Sequence, residues 1–347
     1  MCNLNRAAEL RRHRRIWGAF WRGNVIRWHN EVMRSSLVLN CLILLRLFAS
    51  TTNAIAVTDK GAAPAHEHIK TVWVIAMENQ NWSSIKGSKF APYINGTLLP
   101  MASYAEQYFN PRNTHPSLPN YIWMEAGTNL GIADDGSPKG NSQSTTQHLV
   151  TLLKNAPQGA IEWRTYQENI SGKDCPLSNR YPYVVKHNQF VYFDDVTDRR
   201  NPDSAYCIEH VRPFEELAKD LSTNSVARYN FISPNLCNDM HDSCAPLYNK
   251  VAQGDAWLAK YLPEILDSQA YRDGGAVFIT WDEAETADGP IGMIVLSPLA
   301  KGNGYSNSIH YDHGALLRTL EEIFGVSPYL GNAASQPDLK DLFSTFP

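Results

Sequence analysis

Lys70-Thr71-Val72-Trp73-Val74-Ile75-Ala76-Met77 is the stretch on which the fold class turns. It is apolar at odd and even positions alike and rich in β-branched residues. No charge recurs at helical spacing, so it predicts a strand buried on both faces. Polar Glu78-Asn79 stands at its end. A second run, Gly275-Ala276-Val277-Phe278-Ile279-Thr280-Trp281, also stops at acids, Asp282-Glu283, and a third covers 291–297 after a polar turn. Between these runs the apolar spacing predicts helices over 148–155, 256–268 and 314–324, with Pro263 expected to kink or split the second. Strands alternating with helices predict an α/β sandwich. In open α/β sheets ligands sit beyond the carboxyl ends of the strands, so two buried strands ending in acids predict one shared crevice. No repeat, low-complexity linker or second-domain boundary follows residue 65.

The amino terminus differs from the rest. Residues 1–56 hold nine Arg and two acids, Glu9 and Glu31. Within them, 37–45 is an apolar run of signal-peptide length, and Ala54-Ile55-Ala56 is a small-x-small cleavage pattern. The run is too short for a membrane span, although Arg46 makes it an imperfect signal. The expectation is a basic leader over 1–56 with translation starting at Met1 or at Met33, then one catalytic domain over 65–347, secreted or periplasmic. No stable membrane span is expected after cleavage. Without the leader, 22 basic and 33 acidic residues remain. That acidic balance argues against a nucleic-acid partner, whose grip depends on neutralising phosphates.

Four of the six Cys lie beyond the leader: Cys175, Cys207, Cys237 and Cys244. An even set in an exported chain predicts disulfides rather than metal ligation. Three connectivities are open, one of them pairing Cys237 with Cys244 across a short polar loop.

The chemistry centres on Asn113-Thr114-His115-Pro116-Ser117-Leu118-Pro119-Asn120-Tyr121. Prolines on both sides of Ser117 stiffen the backbone and present the hydroxyl in one orientation. Taken alone, this segment is an ordinary proline-rich turn. A serine is a weak nucleophile unless a base or metal favours its ionised form. Glu78-Asn79 and Asp282-Glu283 supply oxygen ligands for a hard or borderline cation from strand ends. His241 and His313 are candidate nitrogen ligands or proton donors.

Met77-Glu78-Asn79, then Pro116-Ser117-Leu118-Pro119-Asn120-Tyr121, then Thr280-Trp281-Asp282-Glu283 resemble, in content and order, a phosphoesterase family. It contains bacterial acid phosphatases and phosphatidylcholine-type phospholipases C, within the alkaline-phosphatase superfamily. The Ser-x-Pro-Asn piece is similar to the Thr-x-Pro-Asn nucleophile loop of nucleotide pyrophosphatases, which favours Ser117 over Thr114. The resemblance implies an alkaline-phosphatase-like three-layer α/β/α fold with a mostly parallel central sheet, and a phosphoserine intermediate. It implies a divalent metal (Zn, Ca, Mg or Mn) bound by Glu78, Asn79, Ser117, Asp282 and Glu283, with Asn120 on the phosphate. Further stretches, 166–169, 186–190 and 234–242, resemble the acid-phosphatase side. In the last of these, Asp239 and His241 offer a second metal site, or His241 protonates the leaving oxygen, the role favoured here. His187 precedes an apolar run, where a lone His is more often structural than catalytic. His313 begins the last helix and either faces the crevice or follows a helix cap at Asp312.

These readings predict a small phosphate-ester substrate and an acid phosphatase. A phospholipase C or phosphodiesterase is the alternative within the family. A non-catalytic binding protein and a phospho-group transferase are the alternatives outside that activity.

Overall fold

The computed structural model describes residues 68–347. The leader and its cleavage pattern lie outside the described residues. The core is one eight-stranded sheet in the order β4-β3-β5-β1-β6-β7-β2-β8. Its strands are β1 (Thr71–Met77), β2 (Ser103–Ala105), β3 (Trp163–Gln167), β4 (Val211–Pro213), β5 (Tyr229–Ser233), β6 (Gly275–Trp281), β7 (Met293–Leu296) and β8 (Tyr305–Asn307). Only β7 runs against its neighbours, β6 and β2; every other pairing is parallel.

The stretch that suggested the fold is the central strand β1, and the second apolar run is its neighbour β6. All seven residues of each are buried. Successive side chains point to opposite faces of a sheet, so both faces must be covered by other layers. This is the mostly parallel α/β/α arrangement that the resemblance implied. Each fully buried Val or Ile in these strands contributes about 1.5–3 kcal/mol.

Helices form at Leu149–Lys154, Lys250–Leu266 and His313–Phe324. The second starts six residues earlier than its apolar spacing suggested, because the Asn249 side chain caps it by accepting from Ala252 N. It also passes through Pro263 as one helix. Pro263 lies within the last turn, where its missing N–H costs one bond only and the helix ends at Leu266.

Disulfides join Cys175 to Cys207 and Cys237 to Cys244, which settles the connectivity. Among the described residues, no helix is long and apolar enough to cross a membrane.

Candidate active site

Met77 and Trp281 are register partners in parallel neighbouring strands, so Glu78 and Asp282 emerge side by side at the carboxyl ends. Asp282 N continues the ladder by donating to Met77 O at 2.9 Å. Asn79 then turns the chain with φ +24°, a region Asn tolerates better than most residues. The turn brings Asn79 N onto Asp282 Oδ1 at 2.9 Å.

Ser117 is the first residue of the helix Ser117–Ala126, which follows Pro116 and closes at Gly127. Gly127 has φ +67°, and a Cβ there would collide with Leu330 O. The far end of this helix is anchored by Glu125, whose Oε1 accepts from Val150 N at 2.8 Å. With both ends fixed, the buried Ser117 points Oγ at Glu78 Oε2, donating at 3.1 Å.

Glu78 is gripped from behind by His187, whose Nε2 lies 3.1 Å from Glu78 Oε1 and whose Nδ1 lies 3.2 Å from Asp239 Oδ2. These are ion-pair contacts without hydrogen-bond alignment. Burial alone would lower the His187 pKa, but the two facing carboxylates outweigh it and push it up to about 9. Burial likewise opposes Glu78 ionisation, yet the His187 charge wins and holds its carboxyl at about 2. Tyr121 stacks on the imidazole, with centroids 5.1 Å apart.

Asp282 and Glu283 shift the other way. Burial, then the charges of Glu78 and Glu283, raises Asp282 well above the usual carboxylate range. Burial raises Glu283 to about 7 against the pull of His115. Glu283 hydrogen-bonds His115 Nδ1 and also accepts from Asn120 Nδ2 at 3.3 Å. Asn120 donates as well to Thr114 O at 2.9 Å and Pro116 O at 3.2 Å, so it staples the serine loop.

The donor set suits a hard cation. Glu78 Oε1 and Asp282 Oδ2 are buried with no hydrogen-bond partner. One terminal atom of the Asn79 amide lies 2.7 Å from Glu78 Oε2 and 3.2 Å from Asp282 Oδ1. With nitrogen there, it donates to both; with oxygen there, three oxygens converge beside the serine hydroxyl, as around a bound cation. Two carboxylates, an amide and a hydroxyl make this set. Among the described residues, no group of three or more His, Cys, Asp or Glu side chains is arranged to hold a metal ion.

The remaining sequence candidates lie around this cluster. Asp239 is buried, its pKa raised to about 6 by burial against the opposing pull of His187. Its Oδ1 accepts from His241 N at 2.8 Å. His241 stands at the rim, with Nδ1 2.8 Å from Asp242 Oδ1 and its ring 6.0 Å from that of His187. The Cys237–Cys244 disulfide closes their loop. His313 is buried, and burial lowers its pKa to about 4. The neutral ring donates from Nε2 to Asp282 O at 2.6 Å and accepts at Nδ1 from Tyr108 Oη, 3.1 Å away. It therefore braces the backbone of Asp282, while Asp312 caps the helix.

Two neighbours escaped the sequence reading. His115 contacts Glu283 and, at 3.2 Å, Asp288. Lys186 Nζ lies 3.3 Å from Ser117 Oγ and 2.8 Å from Asp135 Oδ2. The signals were a place two residues before Ser117 for His115 and adjacency to His187 for Lys186.

Residues 103–327 match the Phosphoesterase family, a stretch that includes Ser117 and Asp282 and begins after Glu78. A phosphatidylinositol-3-phosphatase of Mycobacterium tuberculosis is 26% identical over 317 residues, covering 90% of this chain and 95% of that protein. A probable acid phosphatase of Kluyveromyces lactis is 27% identical over 300 residues, covering 82% of this chain but 63% of the yeast protein. A solved alkaline-phosphatase-superfamily protein from Vibrio parahaemolyticus superposes with a TM-score of 0.51 over 76% of this chain and 68% of its own. At 10% identity, that likeness is one of fold. The chain thus belongs to the Phosphoesterase family and is a hydrolase of phosphoric ester bonds.

Proposed function

We propose that this chain is an exported, metal-assisted phosphatase of small phosphate monoesters, with residues 65–347 as its catalytic domain and Ser117 as nucleophile. The observation that carries the reading is Ser117 Oγ bonded to Glu78 Oε2 at 3.1 Å, beside Asn79 and Asp282 at two adjacent strand ends. The acid-phosphatase and phosphoinositide-phosphatase names of the relatives support a monoester substrate. Two disulfides support export.

A divalent cation held by Glu78, Asn79, Ser117 and Asp282, with Glu283 alongside, supplies Lewis-acid polarisation and favours the ionised serine when bound. The Ser117 proton leaves along its hydrogen bond to Glu78 Oε2 and on to water, Oγ attacks phosphorus in line, and the bond from phosphorus to the leaving oxygen breaks. His241, at the rim, delivers a proton to that oxygen. Water then cleaves the phosphoserine and restores the serine. Asp239 and His187 hold Glu78 against the hydroxyl, His313 holds Asp282, and Asn120 keeps the serine loop closed beside the phosphate.

The test compares the full chain with Ser117→Ala, measuring p-nitrophenol release from its phosphate monoester and from bis-p-nitrophenyl phosphate. Assays run from acid to alkaline pH, before and after chelation and return of each metal. Acid quench with radiolabelled phosphate ester traps the covalent intermediate. Monoester hydrolysis restored by metal, with label on wild type and none on Ser117→Ala, is expected. Equal turnover by Ser117→Ala would sink the nucleophile assignment, and a diester preference would move the substrate class.

A further inference from the structure

Asp135 and Lys186 lie 51 positions apart, yet they meet over the nucleophile. Lys186 Nζ reaches Ser117 Oγ at 3.3 Å and Asp135 Oδ2 at 2.8 Å. The other Asp135 oxygen, Oδ1, accepts from Leu118 N at 3.0 Å, the amide that follows Ser117 in the first turn of its helix. One carboxylate thus ties a lysine to the backbone of the nucleophile helix. The Lys186 side chain is 17% exposed, so its ammonium borders the crevice instead of waving in solvent.

Five carboxylates crowd this region: Glu78, Asp135, Asp239, Asp282 and Glu283. Of the cationic groups nearby, His187 is buried behind Glu78, and His115 is engaged by Glu283 and Asp288. Lys186 is the one that touches the hydroxyl which must bond to phosphorus. An ammonium with three N–H groups, two of them directed at Ser117 and Asp135, keeps one for an arriving oxygen.

We propose that Lys186 is a catalytic residue that grips the non-bridging oxygens of the phosphoryl group, and that Asp135 is the positioning residue that aims it. The pair favours a doubly charged monoester over a singly charged diester. Coulomb attraction to one fixed cation is larger for the dianion, and the surrounding acids make an unaided dianion unwelcome. This inference rests on the phosphatase reading above and adds the basis of its substrate choice.

The experiment uses the full chain with metal restored and compares wild type with Lys186→Met, Lys186→Arg and Asp135→Asn. It measures kcat and KM on the mono- and bis-p-nitrophenyl esters, and binding of inorganic phosphate by calorimetry. Thermal melts confirm that each variant is folded. Lys186→Met is expected to lower monoester kcat/KM by about 100-fold, the scale of one lost charge-stabilising donor, and diester kcat/KM by much less. Phosphate binding weakens in parallel, and Lys186→Arg regains part of both. Asp135→Asn raises the monoester KM more than it lowers kcat, because the cation remains but is no longer aimed. Equal losses on the two esters, or phosphate binding unchanged in Lys186→Met, would overturn the proposal. Should wild type cleave neither ester, the phosphatase reading falls, while phosphate binding by wild type against Lys186→Met still decides the role of the lysine.

Discussion

Glu78 and Asp282 are neighbours because Met77 and Trp281 are register partners in adjacent parallel strands. Each follows its partner by one residue, so both carboxylates leave the sheet on the same side. Burial, and after it the facing charge of Glu78, makes Asp282 hold its proton far more tightly than an ordinary aspartate.

Replacing Asp282 by Asn keeps the shape and puts in a group that need not take up a proton to be buried. In chelator near neutral pH, the variant is expected to melt about 2 °C or more above wild type, since the wild-type carboxyl must take up a proton on folding. Its metal-restored hydrolysis is expected to fall by about 100-fold, as for loss of one charge-stabilising group. A lower melting temperature in chelator would contradict that cost of burial.

Metal return is expected to reverse the penalty in wild type. A cation that binds only the folded chain stabilises it by about 2.7 kcal/mol at a hundredfold excess over its Kd. Differential scanning calorimetry should therefore show a melting temperature that climbs with metal concentration. Glu78→Gln should flatten the climb, and an equal climb in that variant would place the cation elsewhere.

Glu321 gives a pH signature remote from the crevice. Its Oε1 accepts from Leu330 N at 2.7 Å, and its buried Oε2 has no partner. Burial raises its pKa to about 8 from an ordinary 4.5. The folded chain therefore holds this proton more tightly than the unfolded chain. The stability contributed is complete below about pH 4.5 and is lost as pH rises through about 8. Glu321→Gln should melt progressively above wild type as pH is raised from 5 to 8. A gap between the two that stays constant across that range would refute it.

The Cys237–Cys244 bridge closes a loop with a sequence separation of 7. Replacing both cysteines by serine should cost about 2.5 kcal/mol by loop-closure entropy. Because the loop carries Asp239 and His241, kcat should fall as well. The matching double variant at Cys175 and Cys207, with a separation of 32, should cost more stability. Urea melts and steady-state rates on both variants separate the two effects.

Much of the fold was legible along the chain. The apolar runs of β1 and β6, each ending in acids, announced a buried sheet and a crevice at its carboxyl edge. Pro116 and Pro119 marked the serine loop, and four cysteines beyond the leader announced two bridges. Such signals are local: strand periodicity, turn chemistry and residue type act over a few positions. His187 shows the limit. Beside an apolar run it reads as structural, yet it sits buried between Glu78 and Asp239, whose charges hold it protonated.

Sequence by itself determined the α/β class, the acids at the strand ends, the stiffened serine and the family likeness, because each rests on neighbours along the chain. Tertiary structure alone decided that Glu78 faces Ser117, that Glu283 turns to His115 and Asn120, that Asp135 meets Lys186, and which cysteines pair. Those contacts depend on strand register and loop reach across tens to hundreds of residues. Geometry at that range is set by how the whole core packs, and no short stretch of chain encodes it.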